Sequence, residues 1–156
     1  QKMFERILIA TDGSKHSHRA AEAAVEMARL YGSTIIALYV VDIGKEYAPL
    51  GDLTAKSSDD MIAGIRSSLQ DQGEKATRSV AEMADNAAIP AIRRIAEGYP
   101  AQDIIRIAEE EKAGLIVMGG IGASGLDRFF LGSVADKVVR SSKIPVLVVK
   151  DREKPF

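Results

Sequence analysis

Hydrophobic positions along this chain fall into short continuous runs that alternate with segments of helical spacing. Phe4 to Ala10 (FERILIA) is apolar and rich in β-branched residues, and it stops at Thr11-Asp12-Gly13-Ser14. That pattern predicts a buried strand running into a tight turn. Ala20, Ala21, Ala24, Val25, Ala28 and Tyr31 then recur on one helical face, and Gly32 closes the helix. Thr34 to Val41 is apolar nearly throughout, which suits a strand covered by helices on both faces. Asp42 to Ser57, with Gly44, Pro49, Gly51 and Asp52, reads as a long loop. Ile62, Ile65, Leu69, Ala76, Val80, Met83 and Ala87 predict a long amphipathic helix from about Ser58 to Ala87. Gly73 inside it weakens the helix by about 1 kcal/mol relative to alanine. Ile89 to Ala96 is a third strand with Pro90 near its start, and Pro100 opens a helix through Ile104, Ile105 and Ala108. Leu115 to Met118 is a fourth strand, Gly119 to Gly132 is glycine-rich, Ser133 to Ser141 is a short helix, and Ile144 to Val149 is the last strand.

Strands alternating with helices predict an α/β fold, an open parallel sheet with helices on both faces. Pro145 disfavours a central position for the last strand. No repeat or linker interrupts the pattern, so residues 1–156 read as a single domain. The 156 residues can bury roughly 68–70% of their unfolded surface without a staple. The absence of cysteine excludes a disulfide framework, a Cys-ligated zinc site, an iron–sulfur cluster and a thiol nucleophile. A net charge of -1 argues against a general nucleic-acid binder. No apolar run approaches the ~20 residues that span a bilayer. The N-terminus, with Lys2, Glu5 and Arg6, lacks the pattern of a signal peptide. The expected location is the cytoplasm.

The candidate chemistry concentrates in Met118-Gly119-Gly120-Ile121-Gly122-Ala123-Ser124-Gly125, continuing to Gly132-Ser133. This stretch follows a strand and precedes a helix. Glycines allow the close backbone approach that presenting several N–H groups to a phosphate requires. The helix start behind Gly132-Ser133 offers further donors and partial positive charge. Ser133 with Asp136 fits an S-x-x-D capping pattern. A glycine-rich turn with a capped helix and no ligand fits the same spacing. Gly120 to Gly125 also matches G-x-G-x-x-G, but the acidic residue expected about 20 residues later would fall near Pro145, inside an apolar strand. The P-loop pattern fails, since no Gly-Lys-Ser or Gly-Lys-Thr occurs.

Gly119-x2-Gly122-x9-Gly132-Ser133 resembles the G-2x-G-9x-G-[S/T] nucleotide motif of universal stress proteins. Thr11-Asp12-Gly13-Ser14, Val40-Val41-Asp42, Gly98-Tyr99-Pro100 and Ile144-Pro145-Val146-Leu147-Val148-Val149 extend the likeness over essentially the whole chain. The chain is similar to the ATP-binding branch of that family. The resemblance implies a Rossmann-like, adenine-nucleotide alpha-hydrolase-like sheet of five strands in order 3-2-1-4-5. Asp12 and Gly119 would then converge beyond the carboxyl ends of adjacent strands, at the switch point where such sheets bind ligands. By the same resemblance, Gly119, Gly122, Gly125, Gly132, Ser133 and Val134 hold the ribose and phosphates of ATP or another adenine nucleotide. Ala10, Thr11 and Met118 lie beside the nucleoside, and Val40 offers backbone groups to the adenine edge. Asp12 contacts the ribose or a phosphate-bound Mg²⁺; an Asp-Gly turn is its alternative role. A homodimer paired through Ile144 to Val149 is also implied.

The chain departs from the family pattern at Gly120, Ile121 and Asp127. The first two remove a hydroxyl and a cation, and Asp127 stands where lysine is common, leaving Arg128 as a counter-charge. Modest ATP affinity, or effective competition by AMP and ADP, follows. The functional expectation is a nucleotide-binding sensor or regulator, at most a slow ATPase, without nucleic-acid or membrane partners. A dimeric interaction protein that needs no nucleotide is the alternative, and a nucleotide-using transferase a third reading. His16 and His18 read as solvated side chains, Asp59-Asp60 as first-turn charges of the long helix, and Glu109-Glu110-Glu111-Lys112 as a solvated helix end. Phe129-Phe130-Leu131 reads as packing for the glycine-rich loop, and neither Ser14 nor Ser133 has a partnering histidine in a hydrolase motif.

Overall fold

The computed structural model describes residues 2–44, 55–120 and 131–150. The central strand β1 (Arg6–Ala10) leads into α1 (Lys15–Tyr31) and β2 (Thr34–Asp42). There follow α2 (Ala55–Asn86), β3 (Ala91–Gly98), α3 (Pro100–Glu110), β4 (Leu115–Gly119), α4 (Ser133–Ser141) and β5 (Val146–Val149). The strands form one parallel sheet in the order β3-β2-β1-β4-β5. The α/β class and the strand order therefore agree with the sequence reading, and Pro145 precedes an edge strand.

Alternation along the strands splits the core into two layers. Ile7 and Ile9 of β1, Ile35 and Ala37 of β2, and Leu115 and Val117 of β4 pack with α1 and α2 on one face. Leu8, Ala10, Ile36, Leu38, Ile116 and Met118 pack with α3 and α4 on the other. Ala20, Ala21 and Ala24 are fully buried, and their small side chains let α1 lie close to the sheet. Gly32 ends α1 in the left-handed conformation (φ 67°), and its N–H donates to the Ala28 carbonyl. Gly114 has no room for a side chain, because a Cβ there would lie 1.5 Å from the Met3 carbonyl oxygen.

Several predicted boundaries move. Phe4 precedes β1 and packs its ring against Tyr31, with centroids 5.3 Å apart. Ile89 and Pro90 precede β3, although the Pro90 carbonyl still accepts from Ile35 N–H at 2.9 Å. Ile144 and Pro145 likewise precede β5, with the Pro145 carbonyl accepting from Ile116 N–H. The long helix begins at Ala55 rather than Ser58, so Asp59 and Asp60 stand in its second turn. The loop expected over Asp42 to Ser57 falls largely outside the described residues.

Glu111 is not a solvated helix-end charge. Its carboxylate accepts from Arg6 Nη2 at 2.6 Å and from Arg94 Nη1 at 3.0 Å. Arg6 Nε also donates to the Glu111 carbonyl, placing a cation at the C-terminal end of α3, where the helix dipole favours one. The edge strand β3 is tied down by charge on both faces. Arg93 donates to Thr77 Oγ1 and Glu74 on α2, and Arg94 reaches Glu110 and Glu111 at the end of α3.

Candidate functional site

β1 and β4 are neighbours, yet the chain leaves β1 for one face of the sheet and β4 for the other. A crevice must open between the diverging segments. It is a cleft of about 510 Å³, lined by Ala10, Thr11 and Asp12 after β1, Val40 and Asp42 at the end of β2, Met118, Gly119 and Gly120 after β4, and Gly132, Ser133 and Val134 at the start of α4. Residues expected from the sequence at positions 10, 11, 12, 40, 118, 119, 132, 133 and 134 are thus brought together. Gly122, Gly125, Asp127 and Arg128 lie outside the described residues.

The turn after β1 is held by its own side chains. Asp12 Oδ1 accepts from Ser14 N–H at 2.9 Å, and Gly13 takes φ 81°, which favours glycine. Ser14 is the N-cap of α1, its Oγ accepting from Ser17 N–H at 3.2 Å. Thr11 Oγ1 accepts from Gly13 N–H and hydrogen-bonds Ser17 Oγ at 3.1 Å. Asp12 therefore fills the turn-forming role and also lines the cleft.

The start of α4 differs. Gly132 is the N-cap, and Ser133 is the first helical residue, so the expected Ser133–Asp136 capping pair does not cap. The first turn of any helix has N–H groups without intrahelical partners. Glycine at the cap has no side-chain oxygen to meet them. Asp136 is instead engaged by Arg140 Nε at 3.0 Å. Gly132 N–H donates to the Gly120 carbonyl at 2.7 Å, which ties the end of β4 to the start of α4.

Gly119 has a packing reason of its own. A Cβ there would lie 3.0 Å from the backbone carbon of His16, so α1 approaches β4 closely at that point. At Gly120 a Cβ would lie 3.1 Å from Val148 Cγ1.

Sequence reasoning missed the wall that α2 and α3 supply. Tyr39, Leu69, Gln72, Pro100 and Ile104 also line the cleft. Leu69 and Gln72 share a helix face at i, i+3 spacing, but nothing local says that this face leans over the ends of β1 and β2. The Tyr39 ring passes across α2 at Gly73, where a Cβ would lie 2.8 Å from Tyr39 Cδ1. Its hydroxyl donates to Gln72 Oε1 at a long 3.4 Å. Burial pushes the Tyr39 phenol above its ordinary value, and the Asp12 and Asp42 carboxylates add to the shift.

A second depression of about 340 Å³ lies between α1 and α2 and shares Thr11, Asp12, Ser17 and Gln72 with the first. His18 borders it, exposed and paired with Glu22 at 3.1 Å. Among the described residues, no three His, Asp or Glu side chains gather as a metal site. Among them, too, no helix is long and apolar enough to cross a membrane.

Comparison with known proteins agrees with this architecture. The model of the universal stress protein family matches residues 3–150. A universal stress protein of Methanocaldococcus jannaschii is 38% identical over 154 residues, covering 99% of this chain and 86% of the relative. A second protein of that organism, whose structure was solved as a test of assigning biochemical function, superposes with a TM-score of 0.82 at 26% identity, over 98% of this chain and 100% of the other. A universal stress protein solved in complex with cAMP superposes with a TM-score of 0.63 at 28% identity, over 94% of this chain and 98% of the other. With the family motif, the strand order and these relatives in agreement over nearly its full length, the chain belongs to the universal stress protein family.

Proposed function

We propose that this protein binds an adenine nucleotide in the cleft at the switch point and acts as a cytoplasmic sensor or regulator, with hydrolysis slow or absent. The observation that carries the reading is the meeting of Asp12, Val40, Gly119, Gly132 and Ser133 around one cleft. The uncapped start of α4 supplies N–H donors and partial positive charge for a phosphate. Val40 supplies backbone groups at the end of β2 for the base. The cAMP complex of a relative 28% identical to this chain supports the class of ligand. Asp12, which follows β1, offers its carboxylate to a ribose hydroxyl.

The test is calorimetric titration of Mg-ATP and AMP into protein freed of bound nucleotide, for the wild type and Gly122→Val. Wild-type binding tighter than millimolar, weakened at least about tenfold by the added side chain, is the expected result. The loss corresponds to roughly one charge-assisted hydrogen bond to phosphate. Absence of wild-type binding would remove the nucleotide reading, and equal binding by both proteins would remove the glycine loop from it. The second reading, a dimer that needs no nucleotide, draws on β5. That strand has a neighbour on one side, β4, and presents four half-buried apolar side chains.

A further inference from the structure

The two charged side chains among the described residues that line the cleft, Asp12 and Asp42, are both carboxylates, and both stand at its β1–β2 end. Each is fixed in place by its own backbone. Asp12 Oδ1 accepts from Ser14 N–H and Asp42 Oδ1 from Gly44 N–H, both at 2.9 Å. The Tyr39 phenol lies within the field of both carboxylates, and Gln72 supplies a further carbonyl oxygen beside it. The opposite end of the cleft has the reverse character, with the uncapped first turn of α4 behind Gly132 and Ser133. We infer that this polarity makes the cleft selective for the position of phosphate on the sugar, admitting a 5′-phosphate at the α4 end and rejecting a phosphate monoester on a secondary ribose hydroxyl.

The inference rests on the adenine-nucleotide reading above. Its logic is electrostatic. A free ribose hydroxyl can donate to a carboxylate, whereas a phosphate dianion in its place meets like charge in a partly enclosed site. The excluded class comprises nucleotides with a phosphate monoester at the 2′ or 3′ position, whatever their 5′ substituent.

The cleanest probes are 5′-AMP and 2′-AMP, isomers of equal mass and charge that differ in where the phosphate sits. Both are titrated into nucleotide-free protein at low and high salt. We expect 2′-AMP to bind at least about tenfold more weakly at low salt, with the ratio shrinking as salt screens the carboxylates. Asp42→Asn keeps the oxygen that accepts from Gly44 and loses the charge. It should narrow the ratio several-fold, while Asp71→Asn, which removes an exposed charge on α2, should leave the ratio as it is. Equal affinity for the two isomers, or a ratio indifferent to salt, overturns the inference while leaving the nucleotide reading intact. Failure of both isomers to bind where Mg-ATP binds overturns the inference alone, and failure of all three overturns the nucleotide reading with it. The salt series needs no variant, so it decides the matter even where Asp42→Asn folds poorly.

Discussion

The ring of Tyr39 is buried against Gly73 while its hydroxyl reaches a cleft that holds two carboxylates. Its phenol is raised from an ordinary value of 10.0, first by burial and then by Asp12 and Asp42. Between that value and the folded one, the unfolded chain has released the proton and the folded chain has kept it. Folding therefore loses stability as pH rises through this window. Tyr39→Phe should flatten the alkaline loss measured by urea midpoints across pH 10.0. A parallel decline in Tyr39→Phe would count against the assignment. Tyr39 was hidden in the sequence because an aromatic inside an apolar strand is first of all core. The role of Glu111 is hidden for a related reason. Three consecutive glutamates look solvated, and the arginines that claim one of them come from β1 and β3, far away in sequence. Asp12, by contrast, was legible, because a turn residue after a strand end needs only local rules to be placed.

At the level of elements, the contact between β2 and α2 explains a glycine that propensity alone counts as a defect. Gly73 forgoes about 1 kcal/mol of helix propensity, and in return the Tyr39 ring lies where a Cβ would stand at 2.8 Å. Gly73→Ala should therefore destabilise the protein by about 1–3 kcal/mol through overpacking. In a Tyr39→Ala background the same change should stabilise it, by up to about 1 kcal/mol. Urea unfolding of the four proteins measures both, and an unchanged sign would rule out the packing account. Element types were legible from periodicity throughout, while element ends were not. Whether Ile89 and Pro90 belong to β3, or Ser133 caps α4, depends on hydrogen bonds to Ile35 and on a backbone angle at Gly132. No single-residue preference encodes either.

On the scale of the whole molecule, the two edges of the sheet are finished differently. β3 carries Arg93, Arg94 and Glu97, all in ion pairs with helices, and charge of this kind discourages edge pairing. β5 reads Val146-Leu147-Val148-Val149 and carries no charge. If β5 pairs with a second copy, Leu147→Lys should shift the native mass from dimer to monomer in sedimentation, with circular dichroism confirming the fold. A mass that does not change would argue against edge pairing. The strand order itself could be anticipated only through family likeness. Alternation predicts a parallel sheet, but the energies that choose β4 over β3 as the second neighbour of β1 arise from contacts distant in sequence. That choice has a consequence for how the chain comes together. Arg6 and Glu111 meet across 105 positions, and Ile7 pairs with Leu115 in the same region. During synthesis β1 emerges first but keeps one open flank until β4 is made. Closing so long a loop has a large entropic penalty, which places this domain among the slower-folding topologies. The cleft, built between those two strands, exists only once that closure is complete.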